Sequence, residues 1–129
     1  YRVPLILFHP TQAMPKGIAG KVVQHVDIPA TVLDWVEVDA SGLNYVGESM
    51  FTPGPGKALQ YLQPGWQYVK GDRVFLWDEI NPGVEYHWDQ KSGVLKTAAP
   101  SNMEDEAKTL VLYLLNGFRQ SRWSVTRSE

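Results

Sequence analysis

The chain has 129 residues, 43% of them hydrophobic and 20% charged, a composition that supports one modest core and is that of an ordinary globular chain. A net charge of −2 and a pI of about 5.9 leave no basic face for nucleic acid. Cysteine is absent, which excludes disulfides and thiolate metal sites, and the longest apolar runs, 3–8 and 110–115, are far too short to span a bilayer.

The run 3–8 is continuously apolar, as expected of a strand buried on both faces of a parallel sheet, with Pro4 near its start. His9 and Pro10 end it, and residues 11–20, with Pro15, Gly17 and Gly20, read as a loop. Residues 21–26 form a short strand or an extended approach to a helix. Asp27 is positioned to cap that helix, with Pro29 in its first turn. Ile28, Val32, Trp35 and Val36 then share one face, and the helix stops before Ala40, Ser41 and Gly42.

After Gly56 the pattern becomes extended. Residues 57–62 read as a strand. Segments 66–70 and 73–77 flank Gly71-Asp72, a hairpin signal of type II′ or I′. Segments 84–88 and 94–97 flank a longer loop, 89–93. Ser101 and Glu104 have capping-box spacing. Behind them Met103, Ala107, Leu110, Val111, Leu114 and Phe118 lie on one face, which predicts a helix over 102–121 packed on the sheet. Acidic residues in its first turn, and Arg119 and Arg122 at its end, suit the helix dipole.

Several of these blocks resemble sulfatases and lipoteichoic acid synthases of the alkaline phosphatase superfamily. The strand at 2–6 is similar to the one that follows the family's metal-binding Asp-His or Asp-Asn segment. The stretch QHVDIPATVL at 24–33 resembles its Q-x-D-x-x-P-T helix start, although Ala30 separates Pro29 from Thr31. GLNYVGESMF at 42–51 resembles its G-x-S/D-L segment, and 68–75 its small-domain hairpin. The usual glycine after the helix is replaced near Val36, Glu37, Val38 and Asp39.

The fold the resemblance implies is α/β, with an α+β C-terminal half. Residues 1–56 would be the edge of an alkaline-phosphatase-like core sheet with a covering helix. Residues 57–129 would be a small antiparallel sheet packed by a C-terminal helix. The opening at Tyr1, directly before a strand, is read as excision from a longer protein. The parent would be an exported or membrane-anchored enzyme, its domain in the periplasm or on the outer face of the cytoplasmic membrane, acting on sulfate or phosphate esters of a glycan or glycolipid. It would use a divalent metal (Mn, Mg, Ca or Zn). This chain alone would carry no catalytic residue and no cofactor, its partner being the rest of the enzyme. A homodimer is a further expectation, since one sheet edge is left uncovered.

Two histidines are candidates for the substrate side. His9 ends the first strand, where open α/β sheets gather ligands, or is a hydrogen-bonded loop residue. His25 precedes the helix and faces substrate or packs against the helix start. His87 lies opposite to Tyr86 and Trp88 on its strand and is expected to face solvent. No histidine pair has metal-ligand spacing, and Pro53-Gly54-Pro55-Gly56-Lys57 lacks phosphate-loop spacing. Trp66, Tyr68, Phe75, Trp77, Tyr86 and Trp88 recur at i, i+2, which predicts one aromatic sheet face. That face either packs under the last helix or, through Trp66, Trp77 and Trp88, stacks on sugars or a lipid headgroup.

Overall fold

The computed structural model describes residues 5–11, 20–40, 46–120 and 122. Arg2, Val3 and Pro4, the loop positions Pro15 and Gly17, and positions 41–45 of the family-like blocks lie outside the described residues. The element order is α1 (Asp27–Trp35), β1 (Lys57–Leu62), β2 (Gly65–Lys70), β3 (Arg73–Asp78), β4 (Val84–Trp88), β5 (Leu95–Thr97) and α2 (Met103–Arg119). The five strands form one antiparallel sheet in the order β1-β2-β3-β4-β5. The fold is thus mixed α/β, with α2 across one sheet face and α1 at the β1 end.

The hairpins follow their turn chemistry. Gly71 has φ +61 while Asp72 keeps a negative φ, the pattern of a type II′ turn, whose twist matches the paired strands β2 and β3. In the β4–β5 loop the Asp89 carboxylate accepts from the Lys91 N–H at 2.9 Å, and Gly93 takes φ +75.

The pairing register sets the faces. Trp66 lies opposite Trp77, Tyr68 opposite Phe75, and Phe75 opposite Glu85. Val74 lies opposite Tyr86. Directly paired residues share a face. Tyr86 and Trp88 therefore sit on the face away from Trp66, Tyr68, Phe75 and Trp77. The expected single aromatic face is corrected to a four-residue set on one side and two residues on the other. Spacing within a strand fixes alternation, but only the register says which alternate sets coincide.

The core lies between α2 and the aromatic side of the sheet. Tyr68, Phe75, Met103 and Ala107 are buried together, with Leu59, Trp77 and Leu110 packed around them. Each large apolar side chain removed from water contributes about 1.5–3 kcal/mol. Gly83 lets the chain cross the Phe75 ring: a Cβ there would stand 2.1 Å from the ring's Cζ. Along α2 the buried seam runs Met103, Ala107, Gly117, with Leu110 and Leu114 half-buried. Phe118, predicted to join it, is 69% exposed, because a residue one step past Gly117 rotates off the seam.

Three local expectations are corrected. Residues 5–10 form no ladder among the described residues, and Ile6 and Phe8 are 86% and 76% exposed. A continuous apolar run selects no face and becomes a strand only where neighbours pair with it. Asp27 does not cap α1. The N-cap is Val26, without a side-chain bond, and Asp27 is the first helical residue. The capping box of α2 does not form either. The N-cap is Asn102, Glu104 reaches forward to Lys108, and Ser101 turns to Glu85.

The apolar face predicted for α1 is also displaced. Its buried residues are Asp27 and Thr31, while Val32 and Val36 are exposed. The reason is the segment 46–51, whose N–H groups need acceptors. The helix ends in a Schellman motif: the Glu37 N–H donates to the Asp34 carbonyl at 3.1 Å and the Val38 N–H to the Leu33 carbonyl at 2.9 Å. Glu37 takes φ +56 at the position glycine usually fills.

Candidate functional site

A groove of about 690 Å³ opens between the Pro-Gly loop at 53–56, the Lys57/Lys70 end of the sheet and one flank of α2. Its floor is set by a pair whose members are 36 residues apart. Lys70 Nζ donates to both carboxylate oxygens of Glu106, at 2.9 and 2.8 Å. The Tyr68 hydroxyl donates to Glu106 Oε2 at 3.2 Å, and Asn102 Nδ2 to Oε1 at 2.8 Å. The Lys70 and Glu106 side chains remain 40% and 29% exposed. The ammonium of Lys70 holds the Glu106 carboxyl below the usual glutamate range, against the opposing effect of burial. Burial first, then the Glu106 charge and hydrogen bond, push the Tyr68 phenol up to about 12.

Beyond the other end of the core lies an aromatic ladder. The Trp66 and Trp77 rings stack at 6.0 Å and 14°. Phe75 stacks on Trp77 at 5.1 Å, and Tyr61 meets Trp66 edge-on at 5.1 Å. Trp66 and Trp77 are half-buried, each with a ring face taken by its neighbours. Trp88, on the opposite sheet face, does not extend this ladder. Near α2's start a second ionic node holds the fold. Burial raises the Glu85 carboxyl, but the Ser101 N–H and hydroxyl and the Arg73 guanidinium outweigh it and leave Glu85 below the glutamate range.

The candidate histidines are not brought together. His9 Nδ1 accepts from the Thr11 N–H at 3.2 Å, and its ring lies 5.7 Å from that of Trp35 at the end of α1. His25 is exposed in the turn before α1, where its carbonyl accepts from the Ile28 N–H. A nine-residue helix, about 13 Å long, separates the two. His87 is exposed, 3.6 Å from the Asp72 carboxylate.

The family-like residues have structural partners. Asp27 accepts from the N–H of Gln24 at 2.8 Å and of Glu48 at 3.0 Å. Thr31 donates to the Asp27 carbonyl and accepts from the Met50 N–H at 2.9 Å. Gln24 Oε1 accepts from the Leu59 N–H at 3.1 Å on the open edge of β1. Gln24, Asp27 and Thr31 thus fasten segment 46–51 and the sheet edge to α1. Among the described residues no group of three or more His, Asp and Glu is placed to hold a metal ion.

A solved structure has a similar arrangement. It is a crystal structure of a protein in the alkaline phosphatase superfamily from Vibrio parahaemolyticus, matched with a TM-score of 0.71 and 18% sequence identity. The match covers 82% of this chain and 27% of that one. The chain has the fold of part of an alkaline phosphatase superfamily protein. No protein-family profile matches the sequence, and no curated protein matches it. Within that fold, the stretch 24–33 acts as a fastening strip, and the groove and the ladder are surfaces of the small sheet and α2. Sequence reading missed the groove. Asn102 and Glu106 share a helix flank, but nothing in the sequence brings Lys70 to them.

Proposed function

We propose that this chain is the C-terminal portion of a metal-dependent enzyme of the sulfatase or phosphoglycerol/phosphoethanolamine-transferase type, acting on a sulfate or phosphate ester of a glycan or glycolipid. The observation that carries the reading is the shared fold over 82% of the chain, matched to 27% of an alkaline phosphatase superfamily protein. In this reading the catalytic residues and the ligands of the divalent metal (manganese, magnesium, calcium or zinc) lie outside the chain. Among the described residues no group of three or more His, Asp and Glu is placed as a metal-ligand set. The chain's own part is mechanical: it contributes a covering helix and the small subdomain, with the rest of the enzyme as its partner and a homodimer as a further assembly. The enzyme would work in the periplasm or on the outer face of the cytoplasmic membrane. No helix among the described residues is long and apolar enough to cross a membrane.

The test is the genomic sequence before Tyr1, followed by assay of the whole gene product with nitrophenyl phosphate, phosphodiester and sulfate. The expected result is an Asp-His or Asp-Asn pair with a Thr, Ser or Cys nucleophile farther back, and ester cleavage that a chelator abolishes. An unrelated preceding domain and no cleavage would overturn the reading.

A second reading is favoured by the aromatic ladder: a binding module for glycan or lipid headgroup, with Trp66 and Trp77 as its stacking surface. Titration with glycans or headgroup analogues should then change tryptophan fluorescence. An unchanged spectrum would count against it.

A further inference from the structure

The two halves of α2 differ in charge. Its first turn carries Glu104, Asp105 and Glu106, whereas residues 107–122 contain Lys108, Arg119 and Arg122 and no acid. The buried seam, Met103, Ala107 and Gly117, turns toward the sheet. On the opposite side Leu112, Leu115 and Phe118 follow one another at three-residue steps and are 61%, 47% and 69% exposed. Arg119 is exposed and lies one helical turn after Leu115, on the same side. Among the described residues it enters no ion pair, whereas Lys108 is held by Glu104 one turn back.

Apolar side chains alternating with arginine on one exposed helix face suit an anionic lipid surface. Three side chains cannot supply the roughly 800 Å² per partner that a stable protein interface buries. A second copy laid on the strip would also add its own positive charge to the seam. A membrane sets no such minimum area. The apolar groups enter the boundary between headgroups and acyl chains, and the arginine is drawn to lipid phosphate. The acidic first turn is repelled by the same surface, which confines the contact to the second half of the helix.

We infer that the outer face of α2, from Leu112 to Arg119, docks on an anionic lipid membrane. Leu112, Leu115 and Phe118 insert, and Arg119 pairs with lipid phosphate. This surface is separate from the groove and from the aromatic ladder, and it does not depend on ester cleavage.

The test is co-sedimentation of the 129-residue chain with vesicles of phosphatidylglycerol and phosphatidylcholine in equal parts, and with vesicles of phosphatidylcholine alone. The chain should sediment with the anionic vesicles at about 0.1 M salt, and far less at about 1 M salt or without phosphatidylglycerol. Leu115→Ser with Phe118→Ser should weaken binding at least about tenfold, as should Arg119→Glu, while Arg119→Lys restores most of it. All three positions are exposed, so the circular dichroism should not change. Ile80→Ser, at a residue 89% exposed in the β3–β4 loop, should bind as the wild type does. The inference is overturned by no sedimentation, by equal binding to both kinds of vesicle, by binding that is lost in Ile80→Ser but kept in the α2 variants, or by a lipid-free dimer that Phe118→Ser dissolves.

Discussion

The backbone N–H of Glu48 donates to the carboxylate of Asp27 at 3.0 Å, joining residues 21 apart in sequence. The second Asp27 oxygen takes the N–H of Gln24 at 2.8 Å, so one buried side chain fastens two loops to the start of α1. Asp27→Ala leaves both amides without an acceptor, at a cost of about 1–3 kcal/mol for each that stays buried. Hydrogen exchange should accelerate at Gln24 and Glu48 before it does in the sheet. Asp27→Asn, which keeps one acceptor oxygen, should lose less. Equal exchange in the wild type and the alanine variant would show that the fastening is not there.

Glu37 occupies a left-handed position at φ +56, a conformation that costs a non-glycine residue about 1–2 kcal/mol. Glu37→Gly removes that cost and gives back part of it as chain entropy. The expected outcome is a gain of about 0.5–1 kcal/mol in urea unfolding. A loss of stability would mean that the Glu37 side chain does more than end the helix.

The Glu85 carboxylate serves the Ser101 N–H, the Ser101 hydroxyl and the Arg73 guanidinium. Its folded pKa lies below the ordinary glutamate value of 4.5. The folded chain therefore binds this proton more weakly than the unfolded chain does. The stabilisation is fully present above about pH 4.5 and is lost as pH falls through the depressed folded value. Glu85→Gln should flatten the acid limb of the stability curve. Glu85→Ala should cost about 1–3 kcal/mol at neutral pH, because the Ser101 N–H loses its acceptor and the Arg73 guanidinium keeps only the Ala99 carbonyl. An acid limb identical in wild type and Glu85→Gln would falsify this.

Much of the sheet was legible in the sequence. Gly71-Asp72 and Asp89 to Gly93 are local turn signals, and β1, β4 and the body of α2 came out where the pattern placed them. What failed was set by distant partners. Whether residues 5–8 become a strand depends on neighbours, not on their own apolarity. Asp27 and Ser101 looked like caps because their spacing suits one, yet segment 46–51 and Glu85 claim their side chains. The split of the aromatic residues between two faces needed the β3–β4 register. The groove was invisible for the same reason, since Lys70 and Glu106 meet only after α2 folds back over the sheet.

Gly83 passes over the Phe75 ring with no room for a Cβ, which would stand 2.1 Å from Cζ. The ring is buried in one cluster with Tyr68, Met103 and Ala107 and stacks on Trp77. Gly83→Ala should cost about 1–3 kcal/mol and reduce the near-ultraviolet circular dichroism of the aromatic core. The same substitution at Gly93, which has open space around it, should act only through its φ of +75 and leave that spectrum intact.

The Tyr68 phenol is raised from 10.0 to about 12, chiefly by burial and then by Glu106. The folded chain holds this proton more tightly than the unfolded one. Its contribution to stability is thus fully present below about pH 10 and is lost as pH rises toward 12. Ultraviolet titration should show Tyr68 ionising late, near pH 12. In Glu106→Gln it should move only part of the way back, since burial remains. A complete return to 10.0 would assign the shift to charge instead.

Each strand of the sheet pairs with the strand that precedes or follows it in the chain. Contacts so local give the region a low contact order, and chains of that kind close quickly because little loop entropy is lost before the first pairing is rewarded. The β2–β3 hairpin, with its two-residue turn, is where such a process would begin. After mechanical extension, or during synthesis, the sheet would then re-form one hairpin at a time, with α2 arriving last to seal Phe75.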